Sequence, residues 1–96
     1  MSYYIILWSL SGHGIEKIKN SPQRADHFKQ VCESKGCKVH STFYTFGQYD
    51  GVTILEAPDD SVMMSSLLSV ESEGNARTTT LKAFTYEEAK KIIDNL

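Results

Sequence analysis

Tyr3-Tyr4-Ile5-Ile6-Leu7-Trp8-Ser9-Leu10 is the stretch that decides the fold. Its β-branched and aromatic residues predict a strand. Alternation puts Tyr3, Ile5 and Leu7 on one face and Tyr4, Ile6 and Trp8 on the other. Both faces are apolar, so this strand belongs in the middle of a sheet. An apolar run near an N-terminus can also be a signal peptide. No Lys or Arg precedes this one, however, and a buried strand explains it better.

Working outward, Ser11-Gly12-His13-Gly14 breaks the strand, and Ser21-Pro22 predicts an N-cap followed by Pro at the first helical position. Ala25, Phe28, Val31 and Cys32 then recur at helical spacing until Gly36 stops the helix. Residues 37–46 predict the second strand. Gly47-Gln48-Tyr49-Asp50-Gly51 is turn chemistry, with Gly47 and Gly51 expected at positive φ, and Val52 to Ala57 is the returning strand of a hairpin. Pro58-Asp59-Asp60 opens a second helix, faced by Met63, Leu67 and Val70 and closed by Gly74-Asn75. Arg77 to Phe84 is a threonine-rich fourth strand. Thr85-Tyr86-Glu87-Glu88 has capping-box spacing and starts a third helix, with Tyr86, Ala89, Ile93 and Leu96 on one face.

The order β-α-β-β-α-β-α predicts an α+β, ferredoxin-like split β-α-β fold with an added C-terminal helix. Its four-stranded antiparallel sheet has strands one and three in the centre and all helices on one face. Hence Trp8 or Leu7, with part of Phe43, Tyr44 and Phe46, falls on the uncovered side. Such an apolar patch is an interface or a ligand wall.

Composition bounds the rest. A chain of 96 residues, 41% hydrophobic and 23% charged, is one ordinary globular domain over residues 1–96. A net charge of −2 disfavours capture of nucleic acid or anionic membrane. The third strand, Gly51-Val52-Thr53-Ile54-Leu55, also lacks the basic and stacking residues of RNA-recognition modules. No run reaches the roughly 18 apolar residues of a membrane span. A cytoplasmic chain with Cys32 and Cys37 as free thiols is expected.

Ser21-Pro22-Gln23-Arg24, Gly47-Gln48-Tyr49-Asp50, Glu56-Ala57-Pro58-Asp59-Asp60 and Gly74-Asn75-Ala76-Arg77-Thr78, ending in Leu81-Lys82-Ala83-Phe84, resemble the motifs of the GYD-domain family. The resemblance runs over nearly the whole chain. It implies a small cytoplasmic protein of ferredoxin-like fold that associates as dimeric α/β-barrel proteins do, and it implies no reaction. The chain departs from the family pattern at His13 and Thr79.

Candidate site residues carry two readings each. Tyr49 and Asp50 can present a phenol and a carboxylate at a cleft mouth, or simply shape the hairpin. Arg77 can grip an anion bidentately, pair with Asp50 or Glu56, or simply lie exposed at the surface. Trp8, with Tyr44 and Phe46, can wall a small-molecule site between sheet and helices. His13 can act as a general base or lie exposed in its loop. Arg24 stands in a first helical turn, where the helix dipole disfavours a cation. It can reach a carboxylate across an interface, or stay solvated. Cys32, Cys37 and His40 have a C-x₄-C-x₂-H spacing, but a fourth ligand is missing and no metal is expected. No cofactor motif is present. The expected partners are a second copy of the chain, as a homodimer or higher homo-oligomer through the sheet face, and a small molecule. The alternative is an assembly module with no ligand.

Overall fold

The computed structural model describes residues 1–96. In it β1 (Ser2–Leu10), β2 (Lys38–Tyr44), β3 (Gly51–Ala57) and β4 (Ala76–Ala83) form one antiparallel sheet. The strand order is β2-β3-β1-β4, which puts the two most apolar strands in the centre, as expected. Against it lie α2 (Ser21–Ser34) and α3 (Asp60–Glu71), while α1 (Gly12–Glu16) and a 3₁₀ turn (Ile18–Asn20) bridge β1 to α2. α4 (Tyr86–Asp94) follows β4. This is the ferredoxin-like arrangement.

Register sorts the side chains. Ile6 stands opposite Thr53 and Thr80, and these face the helices; Ile5 stands opposite Ile54 and Leu81, and these face away. The core therefore gathers Tyr4, Ile6, Leu55 and Ala57 of the sheet with Cys32, Met63 and Leu67 of the helices. At its edge the Tyr4 hydroxyl donates to the Asp60 carboxylate. Burial, then this acidic partner, pushes the Tyr4 phenol up to about 12. The same hydrogen bond, helped by Lys82 at 3.1 Å, holds the Asp60 carboxyl below its ordinary range.

Two helix starts behave as their sequences require. Asp59 Oδ1 accepts from Val62 N at 2.8 Å. Thr85 and Glu88 close a full capping box at 3.1 and 2.8 Å.

Four expectations need correction. The Ser11–Gly14 break is instead a cap and a short helix: Ser11 Oγ accepts from Gly14 N and donates to the Gly74 carbonyl, so one hydroxyl starts α1 and ties it to the loop before β4. Ser21 is not an N-cap. The 3₁₀ turn runs straight into α2, Asn20 occupies the cap position without a side-chain bond, and the Ser21 hydroxyl meets Tyr44 Oη at 2.6 Å. Gly51 has no positive φ; it is needed because a Cβ there would lie 1.9 Å from the Trp8 ring. Lastly, the expected apolar face of the third helix has no core beneath it: Tyr86, Ile93 and Leu96 of α4 and its end are exposed, and no residue of α4 is buried.

Gly47 does take the expected backbone, with φ +107° and open space around it. A Cβ here meets only its own backbone strain, so Gly47→Ala should cost about 1–2 kcal/mol, while the neighbouring Gln48→Ala costs almost nothing. Urea midpoints measure the difference, and equal midpoints would contradict this reading of the turn.

Candidate functional site

Between the sheet and α2 lies a partly enclosed cleft of about 90 Å³. Ile6, Trp8, Val39, Thr42 and Thr53 form its floor, while Ala25 and Phe28 of α2 and Val70 of α3 form its roof. The interior is mostly hydrocarbon because these positions are the helix-facing members of alternating strands and the inner stripe of each helix. Its few polar groups are already engaged. Trp8 Nε1 donates to Thr53 Oγ1 at 3.2 Å, and the Thr42 and Thr53 hydroxyls meet at 3.3 Å. Tyr44 braces the indole edge-on, with ring centroids 5.1 Å apart. The indole is thus a fixed wall.

The mouth is different in character. Arg24, Glu73 and Asn75 rim the cleft and continue into a shallow basin with no hydrophobic lining, shared with His13, Lys17, Asn20, Gln23 and His27. The Arg24 guanidinium is half-buried and donates to the main-chain carbonyls of Lys17 at 3.1 Å and Gly14 at 3.3 Å. It has no carboxylate partner: the ion pairs join His27 to Glu73, His40 to Glu56, Lys82 to Asp60 and Lys90 to Asp94. Those two carbonyl bonds explain how a cation is tolerated in the first turn of α2. Gly14 is fixed in turn by Asn75, whose carbonyl would lie 2.2 Å from any Cβ at that position.

The residues singled out from the sequence fall in three places. Trp8 lies under the helices, so Leu7 is the neighbour that faces away, and of the other aromatics Phe43 shares that outer face while Tyr44 turns inward. Phe46 is fully exposed in the turn. Asp50 stitches the turn to the end of β1: its Oδ2 accepts from Leu10 N at 2.8 Å and its amide donates to the Trp8 carbonyl at 2.9 Å. Tyr49 is half-buried, and its carbonyl accepts from Thr45 Oγ1. Arg77 lies beyond β1, opposite Ser9 on the outer face, exposed and paired with neither Asp50 nor Glu56. His13 is exposed at the polar basin. The thiols of Cys32 and Cys37 meet in the core, where burial, then the neighbouring thiol, pushes Cys32 up to about 12. His40 instead stacks on Tyr3 on the outer face and bonds Glu56. The sheet divides the spacing motif.

Sequence reasoning missed the cleft's Ser21, Phe28, Glu73 and Asn75, and gave Arg24 only an interface or solvent role. One signal was available: a cation placed against a helix dipole has to be held by something.

The second feature is the outer face of the sheet. Tyr3, Ile5, Leu7, Val52, Ile54, Phe43 and Leu81 share it, and no helix covers it. Phe43 is 55% and Leu81 48% exposed. Exposed apolar side chains of α4 lie beyond the end of β4.

Fold and site together define a two-layer α+β domain of ferredoxin-like topology with a small cleft beneath its helices. The chain belongs to the GYD-domain family, whose GYD domain matches residues 4–93. It is 31% identical over 84 residues to the glutamine synthetase and cystathionine beta-lyase binding protein of Thermus thermophilus, covering 86% of this chain and 88% of that one. Among solved structures it resembles TTHA0845, also from Thermus thermophilus, at 22% identity and a TM-score of 0.56 over 88% of this chain and 94% of the other. It also resembles MtbAldR, at 17% identity and a TM-score of 0.62 over 86% of this chain, and spans about half (52%) of that longer protein. These last two likenesses are of fold.

Proposed function

We propose that the protein is a binding module built as a homodimer, with two copies joined through the outer sheet faces and a small-molecule cleft kept by each. The observation that carries this reading is the central strand: β1 is apolar on both sides, and only one side is covered by helices. Four strands of seven residues present a face of about 450 Å². Two such faces bury about 900 Å², short of the roughly 1,200–2,000 Å² of a standard stable interface. The unpacked apolar stripe of α4 supplies the remainder when it lies against the partner. In this arrangement Tyr49, Asp50 and Arg77, at one end of the outer face, flank the subunit contact and are candidates for polar groups shared across the two-fold axis.

A second reading has its own support. The Thermus relative is named for binding two enzymes, so an outer surface of the proposed dimer is a candidate dock for an enzyme. Native mass spectrometry of the purified chain tests the first reading in one experiment. The expected result is a two-chain species at tens of micromolar, carrying a small mass increment where ligand is retained. A single-chain species at that concentration would overturn it.

A further inference from the structure

We infer that the cleft takes a small organic monocarboxylate, its apolar tail between Trp8 and Phe28 and its carboxylate on Arg24. This deepens the small-molecule reading of the same cleft and rests on it.

Size comes first. A cavity of about 90 Å³ equals the share of about three liquid waters and admits an aliphatic tail of about four carbons, far below drug-sized pockets. Lining comes next. Ile6, Trp8, Phe28, Val39 and Val70 surround that space, and the threonine hydroxyls lining it are already engaged, Thr42 and Thr53 with each other and the indole and Thr78 with Glu71. A polar tail would leave its own groups without partners there, and a buried polar group without a partner is unfavourable. Hydrocarbon fits.

The head group follows from the rim. Arg24 uses two of its five N–H donors on the Lys17 and Gly14 carbonyls, leaving three. A bidentate carboxylate needs two. The two carbonyls also fix the plane of the guanidinium, so little freedom is lost when an anion binds. Lys17 adds a second cation at the basin, and Glu73, the single acid lining it, stands beside His27 at 3.9 Å. The rim therefore carries a net positive charge and matches a ligand of charge −1 better than a neutral zwitterion.

Trp8 is the single tryptophan and forms the cleft wall, so its fluorescence reports occupancy directly. The full-length protein is titrated with 3-methylbutanoate, 3-methylbutan-1-ol and leucine. The expected result is saturable quenching or enhancement by the acid, at least tenfold tighter than by the alcohol. Arg24→Gln should lose tenfold or more in acid affinity, with Lys29→Gln, which removes an exposed cation of the same helix away from the cleft, unchanged. Should Arg24→Gln fail to fold, the Arg24 Nε resonance of the wild-type protein serves instead, and it should move on adding acid and stay still on adding alcohol. Equal affinity for acid and alcohol, or tighter binding of leucine than of the acid, overturns the monocarboxylate assignment while leaving the small-molecule cleft in place. No response to any of the three compounds overturns the cleft as a small-molecule site.

Discussion

Gly51→Ala should lower the stability of this protein by about 3 kcal/mol, at the upper end of what overpacking usually costs. The added Cβ would lie 1.9 Å from Cζ2 and 2.3 Å from Cε2 of Trp8, far inside van der Waals contact. The ring has no easy retreat, because Nε1 is bonded to Thr53 and Tyr44 braces it edge-on. The backbone has none either: Gly51 pairs with Trp8 on β1 and with Tyr44 on β2. Since φ at position 51 is not positive, the loss is steric and not conformational. Urea unfolding followed by Trp8 emission should show the midpoint fall and the native emission change together. An unchanged midpoint would mean that the indole is not pinned as described.

The second large effect concerns assembly. Leu7→Lys places a charge in the middle of the outer face, between Val52 and Thr79, and the two-fold axis of the proposed dimer doubles it. Burying two unpaired ammonium groups across an interface costs several kcal/mol. The dissociation constant should therefore rise at least a hundredfold. The mass in light scattering at tens of micromolar should fall from twice the 10.8 kDa chain to a single chain. Circular dichroism should stay unchanged, because the core of Tyr4, Ile6 and Leu55 lies on the opposite side of the sheet. A Leu7→Lys protein that keeps the parent mass would place the subunit contact elsewhere.

The fold was legible because it follows from periodicity. Alternation in β1 and β3, helical spacing around Phe28 and Met63, and the Thr85–Glu88 box are local signals, and each marked its element within about two residues. What stayed hidden depends on distant contacts. Whether Trp8 or Leu7 faces outward is a one-residue question of register, decided only by which side α2 and α3 cover. The Ser11 cap draws half its purpose from the Gly74 carbonyl, which lies 63 residues along the chain. Gly51 looked like a turn glycine, and its reason is an indole on the neighbouring strand.

The site was less legible than the fold for the same reason. Tyr49, Asp50 and Arg77 stood out because of their residue types, yet Asp50 is engaged by the Leu10 amide and Arg77 lies across β1 from the turn. The cleft rim is drawn from α1, α2 and the loop after α3, so no short motif could announce it. Arg24 was the visible trace, as a cation in an unfavourable helical turn.

In the proposed assembly a second copy of the chain covers the outer sheet face. Isotope-filtered nuclear Overhauser spectroscopy on a sample mixed from labelled and unlabelled chains tests it most directly, since only contacts between copies survive the filter. Intermolecular contacts are expected at Ile5, Leu7, Phe43 and Leu81, with further ones from Ile93 and Leu96 to the partner. An absence of intermolecular contacts at Ile5, Leu7 and Phe43, or contacts confined to α2 and α3, would contradict it.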